Sequence, residues 1–155
     1  MKIKSLIFLL SIVTLVISGC SKDEDGGDKV SGVKVTVTVE GIEQEDSFYI
    51  SFFGRDRSEK KLSWKVNDQM MEAHSDIELD NDDFLSGTTT YIGEAVDVES
   101  ATIAVAASAV EDNSYTVSIK IEEDGEVVHH VNKTITKDEG IAMHNYVVGN
   151  MIRLD

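Results

Sequence analysis

Residues 114–136 read SYTVSIKIEEDGEVVHHVNKTIT. Tyr115, Val117, Ile119 and Ile121 fall at every second position, with Thr116, Ser118 and Lys120 between them. Side chains on a strand point alternately to its two faces, so this spacing describes a strand with one buried face. Asp124-Gly125 then supplies the two residues that tolerate the positive φ angles of a type I′ turn. Val127, Val131 and Ile135 carry the return strand. The stretch is a β-hairpin, and it sets the terms for reading the rest.

The same period of two recurs on both sides. GVKVTVTVEG (32–41) alternates Val33, Val35, Val37 and Val39 with Lys34, Thr36 and Thr38. SFYISFFG (47–54) places Phe48, Ile50 and Phe52 on one face, Tyr49 and Phe53 on the other, and Gly54-Arg55-Asp56 is expected to begin a turn. KKLSWKV (60–66) sets Leu62, Trp64 and Val66 in register. TTTYIGEAV (88–96) reads as a strand. In ATIAVAASAV (101–110) Ile103, Val105 and Ala107 alternate with small residues, as suits a strand crowded on both faces. A last strand is expected around Tyr146–Ile152. Residues 67–86 lack a clear period. They read as an acidic excursion holding a brief strand at Ile77-Glu78-Leu79. The alternative is a short helix capped by Asn67 and running through Met70, Met71 and His74. The chain contains no proline, so its turns depend on Gly, Asn and Asp. About eight short strands with almost no helix predict an all-β fold, a single antiparallel β-sandwich of Ig-like type over residues 32–155.

The order SFYISFFGRDRSEKKLSW (47–64), ATIAVAASA (101–109) and YTVSIKIEEDGEVVHH (115–130) resembles the MmpS-type β-sandwich of accessory proteins in mycobacterial lipid exporters. The likeness spans roughly residues 33–136. It implies the fold and transfers no functional residue. The chain departs from that family in lacking its transmembrane anchor and its paired cysteines.

The N-terminus says where the domain should reside. Met1-Lys2-Ile3-Lys4 is basic, and Leu6–Ile17 is an apolar run of about a dozen residues, against the roughly 20 that span a bilayer. It ends in Ile17-Ser18-Gly19-Cys20, with the chain's single cysteine. A basic start, a short apolar core and a small-residue end form a signal-peptide pattern. The ending resembles the lipobox of bacterial lipoproteins. That implies cleavage after residue 19, diacylation of the Cys20 thiol and, usually, acylation of the new amine. Several acyl chains hold a protein to a membrane where one does so only marginally. Ser21-Lys22-Asp23-Glu24-Asp25-Gly26-Gly27-Asp28 resembles the acidic export stretch of Bacteroidota surface lipoproteins. Residues 20–31 are therefore expected to form a flexible tether, with the domain lipid-anchored at the outer membrane and facing out. The periplasmic face is the alternative.

The chain carries 14 Lys+Arg against 29 Asp+Glu, for a formal charge of −15. The leader contains two of the lysines and no acid, so cleavage leaves 12 against 29, a net charge of −17 on 136 residues. That length is enough for one core without disulfides. The charge is opposite to the basic footprint that nucleic-acid binding requires.

Signals for chemistry are sparse. No Gly-x-Ser-x-Gly elbow and no glycine-rich phosphate loop occurs. Among His74, His129, His130 and His144, the adjacent pair points to opposite faces of a strand, so three ligands do not converge on zinc. His129 falls in the row of Val127 and Val131, and His130 faces solvent. DIELDNDD (76–83) offers Asp76, Glu78, Asp80, Asp82 and Asp83 as calcium candidates. An EF-hand loop needs Gly at its sixth position and Glu at its twelfth, but counting from Asp76 gives Asn81 and Gly87. A looser calcium loop and a solvated acidic loop both remain readings. Trp64 is either a sugar-stacking platform or the buried aromatic of a sandwich core, and the core is expected. A glycosidase would need a large aromatic-floored cleft, and most aromatics here sit on core faces. Asn132-Lys133-Thr134 matches the glycosylation triplet, to which a bacterial lipoprotein gives little weight.

These observations lead to an expected non-enzymatic, lipid-anchored envelope protein without a cofactor. Its sandwich would bind another envelope protein or an extracellular ligand through loops or an edge strand. The alternatives are a structural or accessory subunit of an envelope assembly or transport complex, a calcium-dependent adhesin, and a small enzyme.

Overall fold

A computed structural model describes residues 32–110 and 112–149. The expected leader, Cys20, the tether and the far end of the last strand (150–152) lie outside them. The described chain is an antiparallel β-sandwich. Its strands are β1 (Gly32–Glu40), β2 (Ser47–Asp56), β3 (Lys65–Val66), β4 (Gln69–Met70), β5 (Ile77–Asp80), β6 (Thr90–Val96), β7 (Val98–Ser108), β8 (Tyr115–Glu123), β9 (Glu126–Ile135) and β10 (Ile141–Gly149). One helical turn, α1 (Asn81–Leu85), follows β5. One sheet runs β4-β3-β6-β1-β8-β9 and the other β10-β7-β2-β5. Apart from the hairpins β3–β4 and β8–β9, every connection crosses from one sheet to the other. β6 becomes β7 through the single residue Asp97, at φ 58°.

The alternating rows meet across the interior. Val35, Val37, Ile50, Phe52, Trp64, Ile103, Val105, Val117 and Ile121 are fully buried. Trp64 is therefore the expected core aromatic, its ring tilted against Phe52 at 5.5 Å. Removing this much apolar surface from water supplies the main drive for folding. Tyr115 closes the distal end of the core, its hydroxyl donating to the carbonyl of Ser47 at 2.6 Å and of Ser108 at 3.3 Å.

Local expectations change at five places. Gly54 is not a turn residue, because β2 runs on to Asp56. A Cβ there would strike the Ser100 carbonyl and approach Leu62 Cδ1 to 2.7 Å, so the glycine serves close packing within the strand. Residues 60–66 keep their alternating burial, but only Lys65–Val66 pair as strand. In the acidic excursion the brief strand is present as β5. Asn67 caps no helix: Asn67 and Asp68 (φ 45° and 66°) form the two-residue turn of β3–β4. The helix lies later, where Asp80 and Asp83 form a capping box and Phe84 is buried. The turn at Asp124-Gly125 has both φ angles positive, as read (51° and 85°). On β9, however, Ile121 pairs with His129 while Glu122 pairs with Val127. Val128 is thus the extra residue of a bulge, which moves Val127 out of the row of His129 and Val131. The last strand begins earlier than expected, at Ile141.

Candidate functional site

Each sheet ends on the same flank in a short strand, β4 in one and β5 in the other. The two edges are not paired with each other, and a cleft of about 610 Å³ lies between them. Its apolar lining is Val66, Met71, Ile77, Leu79 and Tyr91, and its polar lining is Asn67, Gln69, Asp76, Glu78 and Asp83. Among the described residues no lysine or arginine lines it. The volume lies within the range of about 300–1,000 Å³ usual for ligand clefts.

Both walls are held locally. The β3–β4 hairpin is pinned to β6 through Asn67, whose N–H donates to the Ile92 carbonyl at 2.9 Å and whose Oδ1 accepts from Ile92 N–H at 2.8 Å. The hairpin continues as Met71 N–H donates to the Trp64 carbonyl at 3.0 Å. On the other wall, Asp80 Oδ1 accepts from the Asp82 N–H and Asp83 Oδ2 from the Asp80 N–H, each at 2.9 Å. Phe84 packs edge-on against Phe48 at 5.1 Å and Tyr91 at 5.2 Å, which ties α1 to both sheets.

The five acidic candidates are therefore dispersed in role. Asp76, Glu78 and Asp83 line the cleft, and Asp80 and Asp82 do not. Asp76 pairs with Lys61 Nζ at 2.6 Å. Among the described residues no three His, Cys, Asp or Glu side chains are grouped to hold a metal ion. His74 and His130 lie apart, while two other histidines share one aromatic neighbour. His74 Nδ1 donates to the Lys61 carbonyl at 2.6 Å, and His130 is exposed. The His129 and His144 rings both pack on Tyr146, at 5.3 and 4.6 Å.

A second cleft of about 360 Å³ lies against the hairpin's other side, reaching Lys61, Lys65, Met70, Glu94 and Val96. Its charges are paired. Lys65 Nζ sits 2.7 Å from Asp68 and 3.3 Å from Glu94, and Lys34 lies 3.1 Å from Glu94. Hydrogen bonds from Lys34 and then Lys65 hold the Glu94 carboxyl below its ordinary range. The bond to Asp68 is the main cause raising the Lys65 ammonium above its own. These are surface pairs, and they contribute little to stability.

Sequence reasoning missed Asp46, which is 4% exposed. Its carboxylate accepts from Glu43 N–H at 3.0 Å, Val110 N–H at 3.1 Å and Asn113 Nδ2 at 2.6 Å. Its carbonyl accepts from Asn81 Nδ2. Asp46 thus ties together the β1–β2 loop, the β7–β8 loop and the start of α1. An Asp three residues past Glu43, ending a turn before an aromatic strand, was the available signal.

No family model and no curated protein matches the sequence. Solved structures do match the fold. A domain of unknown function, DUF4425, from Bacteroides vulgatus superposes with a TM-score of 0.62 at 12% identity, covering 79% of this chain and 98% of that one. A DUF4425 family protein from Bacteroides ovatus gives 0.56 at 14% identity, over 77% and 94%. The calcium-bound form of a protein from Parabacteroides distasonis gives 0.57 at 10% identity, over 81% and 98%. At these identities the likeness is one of fold.

Proposed function

We propose that this chain is a lipid-anchored envelope protein, held at the outer membrane through Cys20, whose sandwich serves as a non-enzymatic binding module. The cleft between the free edges of β4 and β5 carries the binding half of this reading, because it joins an apolar lining to a rim of three acids, of which Asp76 is paired with Lys61. The lipobox Ile17-Ser18-Gly19-Cys20 and the acidic stretch after it support the anchoring half. The partner is another envelope protein or an extracellular ligand. If the domain faces the periplasm, an accessory role in an envelope assembly takes precedence.

Protease shaving of intact cells tests the placement. Peptides from residues 32–149 should be released from wild-type cells, and Cys20→Ala should shift the protein out of the membrane fraction. A membrane-bound chain that resists shaving puts the domain on the periplasmic side. A Cys20→Ala chain that stays in the membrane removes the lipid anchor.

The calcium-bound form of the Parabacteroides distasonis neighbour favours a second reading, calcium-dependent adhesion. Asp80 and Asp83 are already engaged by backbone N–H groups, which weighs against the 76–83 stretch as the site. Under this reading chelation lowers the melting temperature, and an unchanged value removes it.

A further inference from the structure

We infer that the cleft between β4 and β5 accepts an extended peptide strand of alternating cationic and apolar residues, which adds to the free edge of β5. This rests on reading the cleft as the binding face.

The two flanks of the sandwich differ. On the β9–β10 flank the gap is bridged: His129 and His144 both pack on Tyr146, and Lys133 Nζ donates to the Gly140 carbonyl at 2.8 Å. The Val128 bulge also interrupts the regular edge of β9. Bulges and lysines are common ways of blunting an edge against pairing. On the β4–β5 flank the bridges stand before and after β5: Lys61 Nζ reaches Asp76 at 2.6 Å, and the Tyr91 hydroxyl donates to the Asp83 carbonyl at 3.2 Å. Among the described residues β5 has a strand neighbour, β2, on one side only. Main-chain groups on such an edge are a template for strand addition, with affinity coming from the backbone and specificity from pockets for alternate side chains.

The alternation on β5 defines what the added strand must carry. Ile77 and Leu79 turn into the core at 3% and 7% exposure, while Glu78 and Asp80 turn out. An incoming strand in register would place one row beside Ile77, Leu79 and Met71, and the other beside Glu78. The first row meets apolar surface and the second meets the Glu78 carboxylate, while Asp76 just before β5 is already paired with Lys61. Opposite charges on neighbouring strands stabilise the pair, and like charges oppose it. Four residues of β5 limit the ladder to an extended length of about 13 Å.

The test uses the full chain, isotope-labelled and held in detergent micelles, with the peptide acetyl-Lys-Val-Lys-Val-Lys-Val-amide as probe. The expected result is a saturable shift of the backbone amides of 77–80 and 66–71, with slowed hydrogen exchange in β5. Replacing the peptide lysines by glutamate should abolish the shift. N-methylation of alternate peptide amides should weaken binding at least tenfold, since the ladder needs those donors. Glu78→Lys, at an exposed position, should weaken it by a similar factor, and Glu78→Gln by less. Val127→Lys on the far edge should change nothing. Equal binding of the glutamate or N-methylated peptide overturns the proposal, as do shifts centred on β9 or the distal loops. So does a concentration-dependent shift of the β5 amides without peptide, which would make the occupant a second copy. Cys20→Ala should bind the peptide as wild type does, so failure of the lipid anchor and failure of this proposal are separable.

Discussion

Asp46 and Asn113 stand 67 positions apart in the chain and 2.6 Å apart in the fold, with the amide donating to a buried carboxylate. Two backbone N–H groups complete the carboxylate's partners. Asp46→Ala would leave all three donors without their acceptor. A buried donor left unpaired costs about 1–3 kcal/mol, and some of these will reach water. The expected loss is about 3 kcal/mol, read as a lower urea midpoint with an unchanged slope. Asp46→Asn keeps one acceptor and should cost less. Equal stability of Asp46→Ala and wild type would show that the loops are held by other contacts.

Gly93 and Phe52 belong to different sheets, and the Phe52 ring occupies the space of a missing side chain. A Cβ on Gly93 would come within 2.8 Å of that ring, which in turn leans on Trp64. Gly93→Ala is expected to cost about 1–3 kcal/mol through overpacking and to alter the near-ultraviolet circular dichroism of Trp64. Phe52→Leu added to Gly93→Ala should recover part of the loss relative to the sum of the two single changes.

Burial is the main force raising the Tyr115 phenol well above its ordinary pKa of 10.0, and the nearby Asp46 charge adds to it. The folded chain therefore keeps this proton at pH values where the unfolded chain has lost it. Stability from this group is complete below pH 10 and falls as pH rises beyond it, by up to about 1.4 kcal/mol per pH unit. Tyr115→Phe should lower stability at pH 7 by about 1 kcal/mol, through the lost hydroxyl bonds. It should also flatten the alkaline slope in denaturant melts between pH 10 and 12. An unchanged slope would assign the alkaline loss to other groups.

Asp80 caps α1 and so supports the cleft wall that includes Asp83, whose carbonyl accepts from the Tyr91 hydroxyl of the opposite wall. Asp80→Ala is expected to cost about 1 kcal/mol and to speed hydrogen exchange in 81–85 before the rest of the protein. If exchange there does not change, the aromatic contacts of Phe84 hold the turn without the cap.

Strands with one buried face were legible because burial leaves a period of two in the residues themselves. The valines of β1 and the row from Tyr115 to Ile121 are of this kind. The acidic excursion was less legible. The turn at Asn67-Asp68 joins strands of only two residues, too short to show a period. The capping box at Asp80 and Asp83 was present in the sequence, but within a run of acids that also suggested a cation. The Val128 bulge left no local mark, since shifting the register of β9 changes which face a residue occupies without changing any residue.

Sequence by itself determined the all-β class, the hairpin at Asp124-Gly125 and the identity of most core residues, because alternation and turn chemistry are local properties. It also carries the whole case for the lipid anchor at Cys20. Only the tertiary structure decided that β4 and β5 end their sheets on the same flank, that Asp76, Glu78 and Asp83 share one cleft, and that Asp46 is a buried junction. Those facts depend on which strands are neighbours. Strand neighbours are chosen by packing between residues far apart in the chain, and no short stretch of the sequence records that choice.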